Sequence, residues 1–291
     1  MWLSRLYVDC DPIEAHEPIA LQRPALWILP ASNRKIGHDP QYKLAPTESE
    51  YVNEGPCVLL GGHINFGHWV FEHLTRLAVI ERFKDETMCL PIGIWDDVPK
   101  RFYNDLHATG FGRSIKLVKP GRFESALIPS DVVFRDKGSL FCWPDAVHWL
   151  RQKFPRSRGK RKIYAVRNSD KRRIINRDEV EDALRDLDFE FIKFAEHSFL
   201  EQIKIASEAS IMVMPNGADA PITLFCDSDC AIIELNNQQL AGPFGIRLWA
   251  LVNGCPYHRM VPVGHGEFRG IDTDFLVDTR GLIEAVKVMN G

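Results

Sequence analysis

The 291-residue sequence predicts an α/β protein with parallel, doubly wound sheets. Three observations carry the prediction. Apolar runs of strand length recur: Ile163-Tyr164-Ala165-Val166, Phe191-Ile192-Lys193-Phe194, Ile211-Met212-Val213-Met214 and Ala231-Ile232-Ile233-Glu234-Leu235. Two of the intervening segments open on helix-capping signals, Asn176 with Glu179 and Ser198 with Glu201. Polar residues collect at the turns, where sheets of this kind bind ligands at the carboxyl ends of their strands. Arg167, Asn216 and Glu234 fall at those ends.

Upstream, residues 1–54 are rich in Pro and polar residues and read as an irregular or β-containing lead-in, with one strand-like run at Ala25-Leu26-Trp27-Ile28-Leu29. Val58-Leu59-Leu60 reads as a strand and Gly61-Gly62 as a turn. A helix from about His68 to Phe83 follows, because Val70, Leu74, Leu77 and Ala78 recur at helical spacing. Leu90 to Ile94, Ile115 to Val118 and Ala126 to Ile128 read as strands, and Lys100 to Thr109 and Asp145 to Phe154 as helices. From Arg151 to Arg173 there are eleven basic residues and one acid, Asp170, and 155–162 reads as an exposed linker. The expected organisation is a lead-in, an N-terminal half at 55–158 and a C-terminal half at 159–291, with a ligand cleft between the halves.

Composition narrows the function classes. With 45% apolar and 26% charged residues the chain can build a full core, and a net charge of −3 gives no reason to expect a polyanion partner. The seven cysteines are scattered without a C-x-x-C pair, which favours reduced thiols over a zinc site or disulfide framework. No apolar run approaches the roughly 18 residues of a membrane span. A signal-peptide core is lacking too, so the expectation is a cytoplasmic, soluble protein.

Three constellations have chemical potential. In Asn65-Phe66-Gly67-His68-Trp69-Val70-Phe71-Glu72, Asn65 stands at an N-cap position and His68 and Glu72 share a helical face. Such a pair could serve as a general base toward a hydroxyl, although spacing alone favours a plain cap at Asn65 and a surface His68–Glu72 pair. A metal reading that adds His63 and His73 is weaker, since His73 lies around the helix and no H-E-x-x-H order is present. Arg167 with Lys171, Arg172 and Arg173 could neutralise a diphosphate, or form a solvated basic turn. Pro215-Asn216-Gly217-Ala218 is a turn of small residues that would let backbone N–H groups approach an anion, and it also fits an ordinary βα turn. Glu234 could accept ribose hydroxyls, as acidic residues do in dinucleotide folds.

Taken together, Asn65-Phe66-Gly67-His68-Trp69 with Glu72 and Leu74, Tyr164-Ala165-Val166-Arg167, Arg172-Arg173-Ile174-Ile175-Asn176, Ser198-Phe199-Leu200-Glu201-Gln202, Asn216-Gly217-Ala218 and Ile233-Glu234-Leu235 resemble glycosyltransferase family 61 over roughly residues 55–290. The resemblance implies a GT-B architecture, two facing Rossmann-like halves with the donor held by the C-terminal half. It implies inverting transfer from a nucleotide sugar to a hydroxyl of a glycan or other acceptor, as in polysaccharide biosynthesis, with no metal or other cofactor required. On it, Arg167, Arg172, Asn216, Gly217 and Ala218 hold the nucleotide side and Glu234 the ribose. Glu72 or His68 serves as base, and Asn65 lies on the acceptor side. One departure is Asn216, where the family usually has histidine, and Asp219 adds a negative charge two residues beyond Gly217. Asn216→His is expected to leave the melting temperature nearly unchanged.

These departures leave a second reading, a catalytically lapsed member acting as a nucleotide-sugar- or glycan-binding partner subunit. A nucleic-acid-binding role is disfavoured by the acidic net charge and by the scarcity of aromatics in the basic stretch, Phe154 and Tyr164 alone.

Overall fold

The computed structural model describes residues 51–111, 113–136, 139–155, 157–167, 169–236 and 245–290, with three strands at 26–29, 35–38 and 44–45. The chain divides into two compact units, Met1–Phe134 with Phe141–Lys153, and Arg135–Leu140 with Phe154–Gly291.

The first unit is built on a seven-stranded sheet. β1 (Leu26–Leu29), β2 (Lys35–His38) and β3 (Leu44–Ala45) come from the lead-in. β4 (Val52–Gly61) is followed by one helical run: α1 (Phe66–His68), a π-helical turn (Trp69–His73), a 3₁₀ turn (Leu74–Arg76) and α2 (Leu77–Arg82). Then come α3 (Lys84–Thr87), β5 (Ile92–Trp95), α4 (Arg101–Ala108), β6 (Ile115–Val118) and β7 (Gly121–Pro129). The order is β3-β2-β7-β4-β5-β6, with β1 also pairing β7. β7, β4, β5 and β6 are parallel, while β1 and β2 run antiparallel to β7. Gly61, expected in a turn, is instead the last residue of β4, and the chain leaves the strand through Gly62. Gly61 has φ +76° and Gly62 φ +147°, and a Cβ on Gly62 would lie 2.4 Å from Val98 Cγ2. β8 (Val133–Asp136) and β9 (Ser139–Cys142) form a two-stranded sheet of their own, and α5 (Pro144–Gln152) follows.

The second unit carries a five-stranded, wholly parallel sheet. Its elements are β10 (Arg161–Ala165), α6 (Arg177–Arg185), β11 (Glu190–Ile192), α7 (Phe199–Ser207), β12 (Ala209–Pro215), a 3₁₀ helix (Ala220–Phe225), β13 (Ala231–Leu235), α8 (Ile246–Asn253) and β14 (Tyr257–Met260). A small hairpin of β15 (Val263–His265) and β16 (Asp274–Leu276) leads to α9 (Thr279–Met289). The strand order is β11-β10-β12-β13-β14. Renumbered within the sheet this is 2-1-3-4-5, a doubly wound order whose topological switch point lies between β10 and β12. One sheet face, with Tyr164, Ile211, Val213, Ala231, Ile233 and Leu235, packs with Val180 and Leu184 of α6 and Leu282 and Val286 of α9. Side-chain alternation turns Met212, Met214, Ile232 and Glu234 to the other face.

Several local expectations change. Arg161 and Lys162 belong to β10 rather than to an exposed linker, and Arg161 is bonded to Glu190 and Glu208. Lys193 and Phe194 leave the sheet, because β11 ends at Ile192 and a 3₁₀ turn follows. Ser198 and Glu201 do form a capping box, whereas Asn176 makes no side-chain cap. Its amide is instead bonded both ways to the Val277 backbone, tying the start of α6 to the C-terminal segment.

Candidate functional site

In the first unit the Asn65–Glu72 segment folds as its residues suggest. Asn65 is the N-cap of α1, its Oδ1 accepting the Gly67 N–H at 2.8 Å, and its own N–H donates to His63 Nδ1 at 2.7 Å. His68 Nδ1 lies 3.1 Å from Glu72 Oε1, and the two side chains are only 20% and 12% exposed. This is a half-buried dyad rather than a surface ion pair. A neutral imidazole donating Nδ1–H to a carboxylate keeps its lone pair on Nε2, the arrangement that orients a histidine base.

Glu72 lies in the π-helical turn, a helical irregularity frequent at functional sites. That turn is pinned from both sides. His73 Nδ1 donates to the Leu60 carbonyl at 3.0 Å, and Arg76 adds a second donor to the same oxygen at 3.2 Å. Burial, and secondarily Arg76, hold His73 well below the usual histidine range, so it stays neutral. On the other side the buried Trp69 indole stacks on Phe102, ring centroids 5.5 Å apart, and its N–H donates to Asp105 of α4 at 3.1 Å. His73 is thereby a structural residue.

Burial pushes the Asp105 carboxyl up from 3.8 to about 7, against the lowering effects of the Trp69 bond and Arg101. A raised folded-state value means that the unfolded chain loses this proton first. Asp105 therefore contributes stability that is complete below about pH 4 and is lost as pH rises through about 7. Asp105→Asn should flatten the fall in melting temperature across that window. An unchanged pH slope in thermal melts would count against it.

In the second unit, Arg167 follows β10 and Asn216–Ala218 follow β12, so both stand at the carboxyl ends of the strands that flank the switch point. They meet there. Arg167 Nη1 donates to the Asn216 carbonyl at 2.5 Å, and Nη2 reaches Ser169 Oγ at 3.4 Å. Gly217 leaves room for the guanidinium, since a Cβ there would lie 2.2 Å from Arg167 Nη1. Among the described residues the buried Arg167 Nε–H has no acceptor. Burial, and next the charge of Arg172, bring the Arg167 pKa down to about 10, while Asp219 and Asp272 oppose the shift. The cation is thus half-buried, beside a second cation, and bonded to neutral oxygens.

Arg172 is held with φ +55°, in the left-handed region that an arginine rarely adopts, and its N–H bonds to the Asp272 carbonyl. Its Nε also lies 3.9 Å from Asp272 Oδ1, and Lys171 and Arg173 are each tied to a carboxylate. Lys171 is paired with Asp272, and Arg173 donates through Nε and Nη2 to Asp274 at 3.0 and 2.7 Å. Sequence spacing does not separate these four cations, because the carboxylates that claim three of them, Asp272 and Asp274, lie about 100 residues downstream.

Two predicted site residues have different surroundings. Glu234 is 1% exposed, and its carboxylate accepts from Asn216 Nδ2 at 2.9 Å, Asn236 Nδ2 at 2.6 Å and Tyr257 OH at 2.5 Å. It has no exposed edge to offer a ribose, so the expected ribose contact gives way to an internal one. The Asn216 amide is committed to this carboxylate, which removes the basis for expecting histidine to substitute without cost. Tyr257 and Asn236 carried no sequence signal. Only the register that places β13 beside β14 brings Tyr257 into reach.

A family model described as Glycosyltransferase 61 matches residues 66–233, more than half of the chain. The chain belongs to glycosyltransferase family 61. The match runs from the start of α1, through the His68–Glu72 dyad and the Arg167–Gly217 contact, into β13. Asn65 and Glu234 lie one residue outside it at either end. No curated protein matches. Membership in family 61 makes the protein a glycosyltransferase, an enzyme with a sugar donor and an acceptor. Among the described residues no helix is long and apolar enough to cross a membrane, and no group of three or more His, Cys, Asp or Glu is placed to hold a metal ion.

Proposed function

We propose that the protein is an inverting glycosyltransferase of GT-B type, moving a sugar from a nucleotide-sugar donor to a hydroxyl of a glycan or other acceptor. The observation that carries this reading is Arg167. A half-buried guanidinium at the switch point of a doubly wound sheet, beside Arg172 and bonded to neutral oxygens, suits a diphosphate. In the proposed reaction the acceptor oxygen attacks the anomeric carbon and the bond from that carbon to the diphosphate breaks. The electron pair leaves with the nucleoside diphosphate, and the acceptor proton passes to the Glu72–His68 pair. The cations at the donor side stabilise the leaving charge, so the reading calls for no metal.

A thermal-shift screen against common nucleotide sugars tests it. A donor at 100 times its dissociation constant stabilises the folded protein by about 2.7 kcal/mol, a rise of several degrees. A flat response to every nucleotide and nucleotide sugar would sink the reading. Asp219 supports one alternative, binding without transfer, because its charge acts on Arg167 where a diphosphate would compete with it. Donor that binds, but is neither transferred nor hydrolysed, would favour that alternative.

A further inference from the structure

We infer that Glu234, Tyr257 and Asn216 are positioning residues that fix the peptide after β12 and thereby aim Arg167; the inference rests on the reading of Arg167 as an anion ligand. The geometry forms a single chain of contacts. Tyr257 OH on β14 donates to Glu234 Oε2 on β13, and Glu234 Oε1 accepts the Asn216 amide just past β12. The Asn216 carbonyl then accepts Arg167 Nη1 from beyond β10. Four neighbouring strands of one sheet are tied in series, Tyr257 reaching Glu234 from the first residue of β14.

Each link is specific. Asn216 is held twice, by its side chain on Glu234 and by its backbone N–H on the Leu235 carbonyl at 3.0 Å. These two contacts anchor Asn216 up to its Cα and so limit the directions open to the following peptide unit, whose carbonyl receives Arg167. Gly217 completes the seat by leaving the volume that the guanidinium fills. Glu234 sits on the sheet face opposite the α6–α9 core, in register with Met214 on β12 and Arg259 on β14. A carboxylate in so buried a place is tolerated because three donors satisfy it. Burial and the neighbouring Glu234 charge push the Tyr257 phenol upward, so it remains a donor at neutral pH. On this inference the three residues act through Arg167 and not on the ligand itself. Their work is to hold one peptide still, and a loosely supported first contact loses affinity even when every ligand-touching residue is present.

The test is a double-mutant cycle on pyrophosphate affinity, read by calorimetry on the full chain. Arg167→Ala should weaken inorganic pyrophosphate binding tenfold or more, roughly the loss of a charge-assisted bond. Tyr257→Phe removes one hydroxyl and should weaken it by about 3- to 10-fold. In the Arg167→Ala background Tyr257→Phe should produce no further loss, because it acts through the absent guanidinium. Asn216→Ala, which cuts the chain at its centre, should behave in the same way and guards against an unstable phenylalanine variant. A merely structural role would lower the melting temperature without this coupling. Two independent losses that multiply, or wild-type affinity in Tyr257→Phe and Asn216→Ala, would overturn the inference. If Arg167→Ala itself binds pyrophosphate normally, the anion reading beneath it fails instead.

Discussion

Glu72→Gln is expected to lower turnover by roughly 10²–10⁴-fold while leaving nucleotide affinity nearly intact. The substitution keeps the shape of the side chain and its hydrogen bond to His68, and removes only its basicity and charge. Two mechanisms predict a loss, and they separate cleanly. If the carboxylate itself takes the acceptor proton, glutamine abolishes the base. If His68 Nε2 takes it, Glu72 orients the ring and stabilises the imidazolium that forms, and glutamine weakens both effects. In the second case His68→Asn and the double variant should each cost about as much as Glu72→Gln, since residues acting as one unit do not add. Nucleotide affinity should hold because the dyad belongs to the first unit, whereas Arg167 belongs to the second. Near-normal turnover in Glu72→Gln would rule Glu72 out.

Much of the fold was legible because it rests on local signals. The strand runs at 115–118 and 231–235 are found where their apolar residues place them, and Ser198 with Glu201 starts α7 as its spacing indicates. These signals lie within a few residues of the structure they determine. What escaped was set by distant partners. Asn176 looks like a cap in sequence, yet its amide finds a better pair of backbone partners at Val277, 101 residues on. The π-helical turn at Trp69–His73 could not be read from apolar spacing, which is nearly the same for a regular helix. It follows from the anchoring of His73 and Arg76 on Leu60, and of Trp69 on Asp105.

The candidate site divides along the same line. His68 and Glu72 were legible because four residues of helix bring them together. Arg167 and Asn216 were legible as strand-end residues, but their mutual contact was not, since it depends on β10 and β12 being neighbours. That adjacency is a property of the strand order, with β11 placed outside β10. Glu234 lies at the end of β13, where its carboxylate is bonded to Asn216, Asn236 and Tyr257. A glutamate at the end of an apolar strand reads the same whether it points to a ribose or to a tyrosine on the next strand.

Arg167→Ala carries the second large expected effect: a loss of about 1.5–3 kcal/mol in nucleoside diphosphate affinity, with the melting temperature of the unliganded protein nearly unchanged. The two halves of this expectation have one cause. The folded protein holds the Arg167 charge half-buried and next to Arg172, an arrangement that disfavours the cation and brings its pKa down to about 10. Removing the side chain relieves that cost and forfeits the bonds to the Asn216 carbonyl and Ser169 Oγ, effects of opposite sign. A diphosphate adds counter-charge to that of Asp219 and Asp272, so binding should be where the guanidinium matters. Arg167→Lys is the informative control. It keeps the charge but replaces a planar fork with a point charge on a flexible stem, and affinity should fall between the other two proteins. Calorimetry with a nucleoside diphosphate, beside thermal melts without ligand, reads both halves at once. A large drop in stability with affinity preserved would make Arg167 a structural residue of the β10–β12 junction. Wild-type affinity in the lysine variant would show that charge alone, and not the seat formed by Asn216 and Gly217, is what the ligand meets.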